Sequence, residues 1–152
     1  MSTPVVRRIL APVELSQGKE PDFGYAVELT AQLGAELLLL AVIDTPTTVS
    51  LIGRHRETEA QGRDFEQQLM LEVKTMLQTV VDAAAKSGVK ALGHVTFSED
   101  VEEQILKEAL VQRVDLILVR SRGASGIMKA LLGSTAGEVL KAAPCPVLVA
   151  PV

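Results

Sequence analysis

Chemistry in this chain centres on residues 115–149, where a strand-like run at 116–119 empties into a loop at 120–133 carrying Gly123, Gly126 and Gly133. A short helix at 134–142 opens on Ser134-Thr135, and a last strand follows at 147–150. The first backbone N–H groups of a helix lack partners and carry the positive end of its dipole, so a glycine loop feeding one is a seat for phosphate. Arg120 and Arg122 stand at its mouth and would add charge. The same residues also admit a reading without a ligand. Thr135 and Glu138 form a capping box that satisfies those donors internally, and glycines are ordinary turn residues. The loop is not a P-loop, because no Lys precedes Ser134, and no G-x-G-x-x-G opens a helix anywhere in the chain.

The positioning elements follow from hydrophobic patterning. A β-rich run at 5–13 ends near Pro12. After possible cap residues at 16–21, Phe23, Ala26, Val27, Thr30 and Ala31 recur at helical spacing up to Gly34. Residues 36–43 are a continuous apolar run, the signature of a strand buried on both faces. Residues 44–63 show no clear pattern, and His55 between two arginines reads as a solvated side chain. A long amphipathic helix is expected over 64–87, with Phe65, Leu69, Val73, Met76, Leu77, Val80 and Ala84 on one stripe and Gly88 as its stop. The strand at 89–97, interrupted by Gly93 and His94, suits a sheet edge. Ser98 is expected to cap a third helix with Ile105, Leu106, Ala109 and Leu110 facing inward.

Alternation of strand and helix implies a single α/β domain over 1–152, an open five-stranded parallel sheet of Rossmann-like form with helices on both faces. Strand order 3-2-1-4-5 is the expected arrangement. Ligands of such sheets sit beyond the strands' carboxyl ends, where neighbouring connections diverge to opposite faces. That point brings Pro12-Val13-Glu14 against Val119, Arg120, Arg122 and Gly123.

Composition narrows the function classes. At 152 residues the chain can bury roughly 70% of its surface, and 47% apolar with 3% aromatic content fits a Val/Leu/Ile/Ala core. A net charge of −4 without a Lys/Arg run argues against nucleic acid. No run approaches the roughly 18 apolar residues that span a bilayer, which with the lone Cys145 leads to the expectation of a cytoplasmic protein with no membrane partner. Cys145, between two prolines, reads as a small buried filler, and His94 has no second metal ligand in view. No catalytic nucleophile and base can be assembled, so no catalytic or metal residues are expected.

Ile9-Leu10-Ala11-Pro12-Val13, Ser121-Arg122-Gly123, Leu131-Leu132-Gly133-Ser134 and the closing Ala143-Pro144-Cys145-Pro146-Val147-Leu148-Val149 form a recognisable series, and through them the whole chain resembles the universal stress protein family. The family's nucleotide-binding branch carries G-x-x-G, nine residues, then G-[S/T], a loop that wraps the phosphates of ATP. Here Gly123, residues 124–132 and Gly133-Ser134 keep the spacing. Arg120 replaces the first glycine, and Glu14 stands where Asp is common. Arg120 could obstruct the pocket or clamp phosphate with a bidentate contact.

The resemblance implies a dimeric regulatory protein of the stress response that binds adenine nucleotide, ATP or AMP, with Mg²⁺ as a possible companion. Pro12, Val13, Ala41 and Val42 would line adenine and ribose, while Gly123, Gly133, Ser134 and Thr135 would hold phosphates. The alternative is a dimeric interaction protein of the same fold that takes no nucleotide. An enzyme would be at most a slow ATPase built on Glu14. The homodimer would pair the last strand, 147–150, with its twofold mate.

Overall fold

The computed structural model describes residues 5–13, 23–43, 62–120 and 142–150, with the side chains of 62–65 and 120 outside the description. In chain order these form β1 (Arg8–Val13), α1 (Gly24–Leu33), β2 (Glu36–Ile43), α2 (Gly62–Lys86), β3 (Ala91–Phe97), α3 (Val101–Val111), β4 (Leu116–Arg120) and β5 (Val147–Ala150). The strands make one parallel sheet in the order β3-β2-β1-β4-β5, as the patterning led us to expect.

Side-chain alternation divides the core into two layers. Ile9, Ala11 and Val13 of β1 and Leu37, Leu39, Ala41 and Ile43 of β2 face one way, where Ala26 of α1 and Leu69, Val73, Leu77 and Ala84 of α2 cover them. Leu10, Leu40 and Val42 face the other way, joined by Ile117 and Val119 of β4 and covered by Ile105 and Ala109 of α3. This is why β2 reads as an unbroken apolar run: both of its faces are inside. α1 and α2 share a face because β1, β2 and β3 step in one direction across the sheet. The step from β3 to β4 reverses, so a right-handed crossover puts α3 on the opposite face.

Element ends obey local rules. α1 stops at Gly34, whose φ of 64° suits glycine, and Ala35 N–H returns to the Thr30 carbonyl at 3.0 Å. α2 stops as expected at Gly88, with φ 79°. Gly93 has a different task. A Cβ there would lie 3.0 Å from Leu77 Cβ, so its bare backbone lets α2 lie close on the edge strand β3.

Four expectations are corrected. β1 starts at Arg8, since Val5 is 89% exposed and has no sheet neighbour among the described residues. β3 likewise begins at Ala91 rather than at 89. The cap of α3 is Asp100, whose Oδ1 accepts from Glu103 N–H at 3.0 Å, while Ser98 Oγ makes a local turn with Asp100 just before it. On α3 the inward stripe includes Glu108, at 8% exposure, and leaves Leu110 out at 67%. A residue one position beyond Ala109 is turned about 100° away from it, and that rotation carries Leu110 to solvent.

Candidate functional site

The site expected from patterning lies where β1, β2 and β4 end. β1 and β2 stay paired to the top, with Pro12 beside Leu40 and Val13 beside Ala41. On its other side β1 pairs with β4 at Ile9↔Leu116 and Leu10↔Ile117, and the shared ladder goes no further. β4 continues alongside β5 up to Arg120↔Ala150. β1 and β4 are therefore the neighbours whose connections part, β1 leading toward β2 and β4 toward β5.

Of the residues singled out in the sequence, Pro12, Val13, Ala41, Val42, Val119 and Arg120 are brought together at this carboxyl edge. Their side chains divide between the layers. Val13 and Ala41 point toward α1 and α2, whereas Val42 and Val119 point toward α3, and all four are buried. Pro12 is partly exposed. A ligand over this edge would meet backbone and Pro12 first. Glu14, Arg122, Gly123, Gly126, Gly133, Ser134 and Thr135 lie outside the described residues, as do His55 and the residues 16–21 expected to lead into α1.

The opposite, amino end of the sheet is where the described charges gather. Asp115 Oδ2 accepts from the N–H groups of Arg7 at 2.9 Å and Arg8 at 3.1 Å, fastening β1 to the start of β4. Arg8 donates to the Gln112 carbonyl at 2.6 Å and reaches Glu36 at 3.4 Å, and Lys90 meets Glu36 at 3.5 Å. These contacts fix strand register from below. Arg8, Glu36, Lys90 and Asp115 all lie at that amino end, remote from a ligand seated over the carboxyl edge.

One buried polar position, Glu108, was not legible beforehand, whereas spacing places Thr30 on its stripe. Glu108 meets His94 Nδ1 at 3.0 Å, tying α3 to the edge strand. The signal was present as a carboxylate one position from Ala109 and three from Ile105, inside an otherwise apolar stripe. Thr30, fully buried on α1, satisfies its hydroxyl by donating to the Ala26 carbonyl at 2.6 Å.

No group of three or more His, Cys, Asp or Glu among the described residues could hold a metal ion. Cys145 packs against the α3-side core layer. Burial, reinforced by the charge of Asp115, raises its thiol above the ordinary value, which suits a packed side chain and not a nucleophile. No described helix is long and apolar enough to cross a membrane.

Comparison with known proteins places this arrangement. Residues 6–151 match the universal stress protein family. The chain is 31% identical over 144 residues to universal stress protein YxiE of Bacillus subtilis, covering 93% of this chain and 97% of the relative. It is 32% identical over 146 residues to universal stress protein G of Salmonella typhimurium, covering 94% and 97%. Among solved structures it resembles the universal stress protein from Archaeoglobus fulgidus in complex with dAMP, with a TM-score of 0.58 at 17% identity and coverage of 95% of this chain and 98% of the other, a likeness of fold. By match and by architecture alike, the chain belongs to the universal stress protein family.

Proposed function

We propose that this protein is a regulatory nucleotide-binding module of the stress response, cytoplasmic and homodimeric, that takes ATP or AMP over the carboxyl ends of β1 and β4. The observation that carries the reading is the parting of β1 and β4 at the reversal of strand order, the place where sheets of this kind take ligands. Support comes from the structural neighbour in complex with dAMP and from the Gly123 to Ser134 spacing. Pro12, Val13, Ala41, Val42 and Val119 would flank adenine and ribose. Gly123, Gly126, Gly133, Ser134 and Thr135 would donate to phosphate, with Arg120 and Arg122 adding charge. Glu14 would supply an oxygen ligand if Mg²⁺ accompanies the phosphates. The dimer would form through β5, which ends the sheet.

A second reading, a dimeric interaction protein that takes no nucleotide, is favoured by one feature: Arg120 in place of the motif's first glycine. Calorimetric titration of nucleotide-stripped protein with ATP, ADP, AMP and cyclic AMP separates the two. Saturable heat with an adenine nucleotide supports the first, and silence with all four supports the second. Release of inorganic phosphate from ATP would add slow hydrolysis to the first reading.

A further inference from the structure

The ladder between β1 and β4 stops where a missing hydrogen would stop it. Ile117 N–H donates to the Pro146 carbonyl at 3.0 Å, so Ile117 turns its backbone toward β5, and Leu116 and Leu118 on either side turn theirs toward β1. On β1 the Arg7 carbonyl accepts from Glu36 of β2 at 2.8 Å, and the Arg8 carbonyl accepts from Asp115 at 2.9 Å. Backbone groups alternate along a strand, so Arg8, Leu10 and residue 12 face β4. Beyond the Leu10↔Ile117 pair, the next rung would run from the N–H of residue 12 to the Leu118 carbonyl. Residue 12 is proline and has no N–H.

Neither strand ends at that level. β1 stays paired with β2 through Val13↔Ala41, and β4 stays paired with β5 through Arg120↔Ala150. Only the bond between them is withheld, on the side of β1 that faces the strand-order reversal. A proline inside a central strand is ordinarily excluded because it breaks a ladder. Here the break falls at the expected ligand entrance.

We propose that Pro12 is a positioning residue that holds the crevice between β1 and β4 open by denying β4 its next rung. It acts through the missing donor, in addition to any contact its ring makes with a ligand. The ligand side of this inference rests on the nucleotide-binding reading above.

Two variants test it. Pro12→Ala restores an N–H, and a second variant carries the ester analogue of alanine at position 12, with the same methyl group and no N–H. The amide introduced by Pro12→Ala is expected to exchange with solvent at least about 100-fold more slowly than an unstructured amide, because it pairs with Leu118. AMP affinity is expected to fall about fivefold, the worth of one backbone hydrogen bond that must open. The ester analogue is expected to bind AMP about fivefold more tightly than Pro12→Ala, because the two differ only in the N–H. Rapid exchange at position 12 would overturn the proposal, and so would a protected amide with unchanged AMP affinity, in that case leaving the nucleotide reading intact. Equal weakening by the ester analogue would assign the effect to loss of the ring and also overturn it. A wild type that binds neither ATP nor AMP removes the nucleotide reading and the positioning role together, while the exchange measurement still reports whether the rung forms.

Discussion

Arg120 decides more about the proposed site than any other single residue, because its backbone closes β4 beside the parting strands and its type departs from glycine. A guanidinium there would contribute a charge-assisted contact to phosphate. Arg120→Gly is expected to lower ATP affinity and to flatten its dependence on salt, measured by titration at two ionic strengths. A rise in affinity would mean that the side chain obstructs. Ser134→Ala is expected to weaken ATP by about 1 to 3 kcal/mol if its hydroxyl donates to a charged oxygen, and unchanged affinity would put the phosphates elsewhere. The shared edge was legible because strand ends can be counted from hydrophobic runs: Pro12, Val13, Ala41, Val42 and Val119 do lie at the carboxyl ends of their strands. That Val13 and Ala41 face one layer while Val42 and Val119 face the other follows from strand alternation once the register is known.

The secondary elements were read best where burial imposes a pattern and worst where polar residues compete for an end. β2 was bounded correctly because both of its faces are inside, and the Gly34 and Gly88 stops were legible because a left-handed φ favours glycine. The start of α3 was misread by two residues. Ser98 and Asp100 are both good caps, and only the turn geometry selects Asp100. Glu108 was passed over because a carboxylate is rarely assigned inward, and its partner His94 comes from a different element. The cap gives a direct test. Asp100→Ala is expected to cost about 1 kcal/mol in urea unfolding near neutral pH, and Ser98→Ala distinctly less. Hydrogen bonds from Glu103, then Glu102, hold the Asp100 carboxyl below its ordinary value. A depressed value means stability that is present above the unfolded-state titration and lost as pH falls through the folded-state one. The Asp100→Ala penalty should therefore shrink on acidification, and a penalty independent of pH would contradict a charged cap.

As a whole the sheet has two edges, β3 and β5, and they are built differently. β3 carries Gly93 and an exposed His94, whereas β5 is a run of four apolar residues with Val149 43% exposed. An apolar edge strand invites a twofold mate. Val149→Lys is expected to halve the mass seen by light scattering at tens of micromolar, since Val147 and Leu148 pack into the core layers and Val149 is the more open position. A wild type that is already monomeric at that concentration would exclude the β5 dimer. Strand order was legible because helix–strand alternation and crossover handedness leave few arrangements; the charged clasp of Asp115, Arg8 and Glu36 beneath the sheet was not, because its members meet only once the strands are side by side. The most direct test of nucleotide binding over the carboxyl ends of β1 and β4 is to follow backbone amide resonances while AMP is added to nucleotide-stripped protein. The account predicts saturable shifts at Val13, Ala41, Val42 and Val119, with Arg8, Lys90 and Asp115 at the amino end unmoved. Shifts confined to the amino end, or none at any AMP concentration up to millimolar, would contradict it.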